Sequence, residues 1–240
     1  MGNGEKRMMP GLRVLCDFDG TISTVDVTDA LLEAFALPAW RDLEVAWKAG
    51  RIGSRECMKR QVELLRCGRA ELDSFLDTIQ IDPAFPAFAA YCEEFGIPLS
   101  ILSDGIDYVI HTILCRNGFD EIPVFANRLV FSGGDRMRLE SPHLVASCAS
   151  ASGICKCALV ERAARNAGGT LLIGDGVSDF CAARAADMVF AKDRLLSSCG
   201  EHDLPHMEFG NFHDALEMLR DAEMSGEWRV RPLRKETVNK

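Results

Sequence analysis

The stretch Leu12-Arg-Val-Leu-Cys-Asp-Phe-Asp-Gly-Thr-Ile22 decides how the rest of the chain is read. Its first five residues form a short apolar run, which ends abruptly in Asp17-Phe-Asp-Gly-Thr21. That pattern reads as a buried strand emptying into a polar turn. Two similar units follow. Ile97-Pro-Leu-Ser-Ile-Leu102 runs into Ser103-Asp-Gly105, and Thr170-Leu-Leu-Ile173 runs into Gly174-Asp-Gly176. Helical patterns come next in each case, over 106–116 and 178–185. Strand–loop–helix units with short connections predict a mostly parallel sheet covered on both faces. Ligands of such sheets bind outside the carboxyl ends of the strands. The fold therefore brings Asp17, Asp19, Ser103 and Asp175 to one edge, although they are distant in sequence.

Outward from these units, the chain divides. Residues 26–49 are helical, with Ala30, Leu31, Ala34, Phe35 and Leu37 on one face; Pro38 breaks the pattern, and Trp40, Leu43 and Trp47 resume it. Two further helices are expected at 54–66 and 70–79, and nothing between Asp26 and Asp82 reads as a strand. The expectation is an α/β, Rossmann-like parallel-sheet core over 11–25 and 83–222. An all-helical cap is inserted over 26–82, and flexible tails lie at 1–10 and 224–240. Beyond Pro83, helices are expected at 85–95, 157–166 and 212–218. Strands are expected at 122–131 and 187–191, with a hairpin return near 137–139.

The chain has 240 residues, enough to bury a core without disulfide or metal staples. Lys plus Arg is 27 and Asp plus Glu is 36, a net charge of −9. That balance argues against nucleic-acid partners, which need clustered positive charge. No apolar run reaches the ~18–20 residues of a membrane helix, and the first ten residues do not read as a secretory signal. A cytoplasmic location with reduced thiols is the expectation for the ten cysteines. Cys16, Cys92, Cys115 and Cys181 lie in apolar runs and are expected in the core. Cys148, Cys155 and Cys157, with His143 nearby, are spaced unlike zinc knuckles. Buried or loop thiols are expected there, with a metal site as the alternative. The composition is compatible with a homo-oligomer as well as a monomer.

The polar groups at the strand ends are the carboxylates Asp17, Asp19, Asp175 and Asp179, the hydroxyl of Ser103, and an ammonium. Lys156 is the expected ammonium, with Lys192 as competitor. Clustered carboxylates repel one another and call for a cation; oxygen donors without histidine select a hard ion such as Mg²⁺. Such an ion binds through one or two carboxylates together with a substrate phosphate, and Ser103 and Lys156 would hold the remaining phosphate oxygens. Backbone N–H groups near Gly20 and Gly105 would add donors. Asp17 is then the candidate nucleophile toward phosphorus. Asp19 would protonate the leaving alcohol and later deprotonate water. Asp179 either supports this cluster or merely starts the following helix.

Taken together, these residues resemble the motifs of haloacid-dehalogenase-superfamily phosphatases. Asp17-Phe-Asp-Gly-Thr-Ile22 is similar to the first motif, Ser103 to the second, Lys156 to the third, and Gly174-Asp-Gly-Val-Ser-Asp179 to the fourth. The resemblance implies metal binding by Asp17, Asp175 and the backbone carbonyl of Asp19. It also implies phosphomonoester hydrolysis through an aspartyl-phosphate, because the superfamily's dehalogenases lack the second aspartate. The helical insertion between the first two motifs resembles that of the phosphoserine phosphatase branch. A narrower resemblance is to the 2-hydroxy-3-keto-5-methylthiopentenyl-1-phosphate phosphatases of methionine salvage. It is carried by residues 35–40, Glu56, Arg60, Pro142-His143, residues 153–156 and residues 189–196. It implies a small phosphorylated metabolite as substrate, with phosphoserine or another small phosphoester as the alternative. Arg60 and Trp40 are candidate substrate contacts, against the readings of solvated helix charge and cap core. Asp104 departs from the pattern, since small residues usually follow the second-motif serine. It is expected to point away from bound phosphate.

Overall fold

A computed structural model describes residues 11–148 and 150–225. Strand β1 (Leu12–Cys16) is followed by helices α1 (Val27–Phe35), α2 (Trp40–Lys48), α3 (Ser54–Glu63), α4 (Arg69–Leu76) and α5 (Phe85–Glu94). Next come β2 (Leu99–Ile106), α6 (Asp107–Arg116), β3 (Val124–Phe131), β4 (Met137–Glu140), α7 (Lys156–Ala164) and β5 (Gly169–Gly174). A 3₁₀ turn (Val177–Asp179) leads into α8 (Phe180–Ala183), β6 (Met188–Ala191), α9 (Asp193–Glu201), β7 (His206–Glu208) and α10 (Phe212–Ser225). The seven strands form one sheet in the order β4-β3-β2-β1-β5-β6-β7. All neighbours are parallel except the β3–β4 hairpin.

Alternation along the central strands assigns the two faces. Leu12, Val14 and Cys16 of β1, with Leu171 and Ile173 of β5, join the larger core beneath α5, α6 and α10. Leu15 and Leu172 face the other way, into the core beneath α7, α8 and α9. The period of two is what a strand buried on both faces requires. β1 lies between β2 and β5, so the chain leaves it toward one half of the sheet and later returns to the other. That reversal is a topological switch point, where the strand ends open a crevice.

Helices α1–α4 all lie between β1 and α5. The two connections to them pair: Thr24 N–H donates to the Gln80 carbonyl at 3.0 Å and Asp82 N–H to the Ile22 carbonyl at 2.8 Å. Asp82 is buried, and its carboxylate accepts from Ala84 N at 2.8 Å and from Phe212 N at 3.0 Å. α3 packs on β4, and Arg55 N–H reaches the Ala151 carbonyl at 3.2 Å. α4 is tied to α6 through Asp73 with Tyr108 and Asp77 with Arg116.

Several sequence expectations need correction. β2 does not stop at Leu102 but continues to Ile106 through a register irregularity, because the backbone stays extended past Ser103. α9 and β7 lie where no element was expected. α10 runs to Ser225, so a tail beginning at 224 starts too early; residues 1–10 and 226–240 lie outside the described residues. Cys16 and Cys92 are buried as expected, but Cys115 is exposed and Cys181 half-buried, since each falls on the outer side of its helix.

Candidate active site

The carboxyl end of β1 places Asp17 beside the end of β5: Cys16 pairs with Ile173, and Asp17 N–H donates to the Ile173 carbonyl at 2.9 Å. Lys156, the first residue of α7, is 1% exposed, and its ammonium bridges two acids. Nζ is 2.9 Å from Asp17 Oδ2 and 2.7 Å from Asp179 Oδ1, and it donates to Ser178 Oγ at 3.3 Å. Asp179 is fully buried and also accepts from Gly176 N at 3.2 Å, so it does more than start a helix. Lys192 instead lies over the Phe209 ring, with Nζ 5.4 Å from its centroid.

Asp17 Oδ1 accepts from Phe18 N at 2.7 Å. Asp175 Oδ1 accepts from Thr21 Oγ1 at 2.6 Å, tying the first and fourth clusters together. One oxygen each from Asp17, Asp175 and Asp179 lies within 4.8 Å of the others; among the described residues no other group of acids, cysteines or histidines gathers so closely. The sulfurs of Cys148, Cys155 and Cys157 do not all lie within that distance of one another.

The electrostatics follow from this crowding. Burial acts to lower the Lys156 pKa, but Asp17, Asp179 and Asp104 outweigh it and keep the ammonium charged. Burial and the Asp179 charge push Asp17 well above the usual carboxylate range, against the pull of Lys156. Asp175 is raised by burial, opposed by the Thr21 hydrogen bond. Asp17, Asp175 and Asp179 gather beside one ammonium, a surplus of acids over cations. An all-oxygen donor set with that surplus fits a hard divalent cation.

Asp19 sits apart from this group. Its Oδ1 accepts from Val27 N at 2.9 Å and its Oδ2 from Thr28 Oγ1 at 3.4 Å, both at the start of α1. Burial, then the nearby Asp26 charge, raises its pKa to about 7. Ser103 is 1% exposed, and its Oγ accepts from Gly105 N at 3.0 Å. The Gly105 N–H is thus already engaged, as is that of Gly20, which donates to the Val25 carbonyl at 3.1 Å. The glycines matter instead for space. A Cβ on Gly105 would stand 2.6 Å from Asp19 Oδ2, and one on Gly20 would stand 2.8 Å from Asp175 Oδ2, with φ +69° besides.

Asp104 turns toward the 150s loop, where its carboxylate accepts from Ile154 N at 3.4 Å. Arg60 is exposed on α3, and Trp40 is half-buried at the start of α2. No hydrogen bond or ion pair among the described residues joins either to the strand-end cluster. Gln61 is buried and donates to Glu44 at 3.2 Å. Thr21, Ser178, Thr28 and Asp26 were not singled out from the sequence. Thr21 lies within the quoted first motif, and Ser178 within the fourth. The other two carry no local signal beyond a helix start.

A switch-point crevice lined by acids around a buried lysine defines a class: the profile of the haloacid dehalogenase-like hydrolase family matches residues 14–184, and the chain belongs to that family. Its relatives narrow the kind of enzyme. The 2-hydroxy-3-keto-5-methylthiopentenyl-1-phosphate phosphatase of Geobacillus kaustophilus is 36% identical over 220 residues, covering 90% of this chain and 99% of that protein. The enzyme of the same name from Geobacillus thermodenitrificans is 35% identical over the same length, covering 90% and 99%. This chain is a phosphomonoester hydrolase. Solved structures agree in fold. A phospho-aspartyl intermediate analogue of phosphoserine phosphatase superposes with a TM-score of 0.64 at 18% identity, covering 88% of this chain and 98% of that one. A probable phosphoserine phosphatase from Vibrio cholerae gives a TM-score of 0.67 at 16% identity, covering 95% and 70%.

Proposed function

We propose that the chain hydrolyses a small phosphorylated metabolite through an aspartyl-phosphate on Asp17, and that the metabolite is 2-hydroxy-3-keto-5-methylthiopentenyl 1-phosphate. The observation that carries the mechanism is the buried Lys156 ammonium between Asp17 and Asp179 at the strand ends. The relatives' names carry the substrate.

The Asp17 carboxylate attacks phosphorus; an oxygen–phosphorus bond forms and the ester bond to the alcohol breaks. Asp19 gives its proton to the departing oxygen. With a pKa of about 7, it is partly protonated at neutral pH, so it can both give that proton and take one back. Asp19 then takes a proton from water, the water oxygen attacks phosphorus, and the bond to Asp17 breaks to free phosphate. Lys156 balances charge on the phosphoryl oxygens. Ser103 donates to the same oxygens once its hydroxyl turns toward them. Mg²⁺ held by Asp17 and Asp175, with Asp179 in support, would supply Lewis-acid polarisation of the phosphoryl group.

Helices α1–α4, residues 26–82, act as a cap that excludes water and limits substrate size. Phosphoserine is the competing substrate. Against it, the buried Gln61 amide is already turned to Glu44, and it is uncharged toward a substrate carboxylate. A panel of phosphoesters containing the methylthio-ketose phosphate and phosphoserine separates the two. The first should be turned over with the higher kcat/KM, and the reverse order rejects the proposed substrate. Asp17→Asn should keep the fold while losing aryl phosphate turnover in Mg²⁺ by at least about a thousandfold. Near-normal turnover in that variant removes Asp17 as nucleophile.

A further inference from the structure

Four thiols, Cys148, Cys155, Cys157 and Cys181, lie around the N-terminus of α7, and the mechanism above uses none of them. Cys155 caps the helix and Cys157 is its second residue, so they flank Lys156 in sequence. Their sulfurs are 3.3 Å apart. We infer that Cys155 and Cys157 form a thiol–disulfide modification site that governs Lys156, entered through Cys148 and oxidised by a small-molecule disulfide. The effect on turnover rests on the role proposed for Lys156; the chemistry at sulfur does not.

The geometry favours this pair. A bond needs the sulfurs to close from 3.3 Å to about 2.05 Å. Cys155 is 3% exposed, whereas Cys148 and Cys157 are half-buried. Cys148 Sγ is 3.3 Å from Ser152 Oγ. Burial would raise the Cys148 pKa, but its hydrogen bond with the Ser152 side chain and those from the Ser152 and Ser150 amides bring it below the usual thiol value. Burial holds Cys155 and Cys157 as thiols. Cys148 is half-buried where Cys155 is buried, and it is the most readily ionised of the three, so an oxidant meets it first; it also neighbours Cys155.

The exchange balances in three steps. The Cys148 thiolate attacks one sulfur of the small disulfide and expels one small thiol. Cys155, giving up its proton, attacks the Cys148 sulfur and expels the second. Cys157 attacks the Cys155 sulfur and returns Cys148 to a thiol. Overall, one small disulfide is reduced to two thiols while Cys155 and Cys157 are oxidised to one disulfide. The ring so formed contains the Lys156 backbone at the first turn of α7. Closing that ring reshapes the backbone that carries Lys156, and on this inference its ammonium shifts from its 2.9 Å and 2.7 Å contacts with the two acids. Misplacement by about 1 Å costs on the order of a hundredfold in rate.

The full-length protein in Mg²⁺ is incubated with oxidised glutathione, acid-quenched, digested without reduction and mapped by mass spectrometry, with aryl phosphate turnover followed in parallel. The expected product is a Cys155–Cys157 peptide lighter by two hydrogens. Turnover should fall at least about tenfold and return with dithiothreitol. Cys157→Ser and Cys155→Ala should each retain basal turnover and lose sensitivity to the oxidant. Cys148→Ser should reach the same linkage more slowly. A stable Cys148–Cys155 or Cys157–Cys181 bridge, a persistent glutathione adduct on Cys148, or undiminished turnover by protein carrying the Cys155–Cys157 bond overturns the inference. The linkage map is read without any turnover, so a protein that hydrolyses no phosphoester refutes the proposed function and still decides the sulfur chemistry.

Discussion

Asp19 shows how a single side chain acquires its chemistry. Its carboxyl is out of water and near the Asp26 charge, so its pKa rises to about 7. Below that pH it is protonated and able to serve as the acid; above it, the proton is gone. The kcat/KM profile should therefore fall on the basic side from about pH 7. Asp26 caps α1 by accepting from Asp29 N at 2.8 Å, which an asparagine can also do. Asp26→Asn should leave thermal stability nearly unchanged and move the basic limb to lower pH, because removing a like charge favours ionised Asp19. A limb that stays in place or moves up would separate Asp26 from the acid. In the sequence, Asp17, Asp19 and Asp175 stand out because each follows an apolar run and faces the same edge. Asp26 and Thr28 are not visible that way: their influence comes from the turn of the chain between β1 and α1, which no short-range pattern encodes.

Secondary structure was most legible where hydrophobic periodicity was long. β1, α5, α6 and the β3–β4 hairpin lie close to their expected places. α9 and β7 escaped because α9 buries only Leu195 and Cys199 and β7 has three residues, too few for a period to register. The stretch after Ser103 reads as a turn because Ser-Asp-Gly is turn chemistry, yet pairing with β3 keeps it extended to Ile106. Joints between elements add to the stability that the core supplies. Asp82 receives the N–H of Ala84 and of Phe212, fixing the second connection of α1–α4 to the start of α10. Asp82→Ala strands both donors, and each such loss costs about 1–3 kcal/mol. Urea unfolding should shift to lower denaturant by an amount in that range or somewhat above, while Asp82→Asn recovers part of it. An unchanged midpoint would show that water replaces the carboxylate.

Across the whole molecule, the last helix returns to pack on α5. Phe212 is fully buried and packs edge-on against Phe85 at 4.9 Å and Phe88 at 5.1 Å, so α10 closes the larger core against α5. Phe212→Ala should destabilise by about 3–5 kcal/mol. Calorimetry would reveal it as a large drop in Tm, and a small drop would mean that α10 adds little to the fold. The sheet order itself was not deducible beyond its mostly parallel character, because strand neighbours are chosen by crossovers rather than by local pattern. Asp19 stands in the turn that leaves β1, yet both of its hydrogen-bond donors belong to the first turn of α1. A lineage that exchanged this helical module for another to change diet would also retune the acidity of its proton donor, so new selectivity and a new working pH would be inherited together.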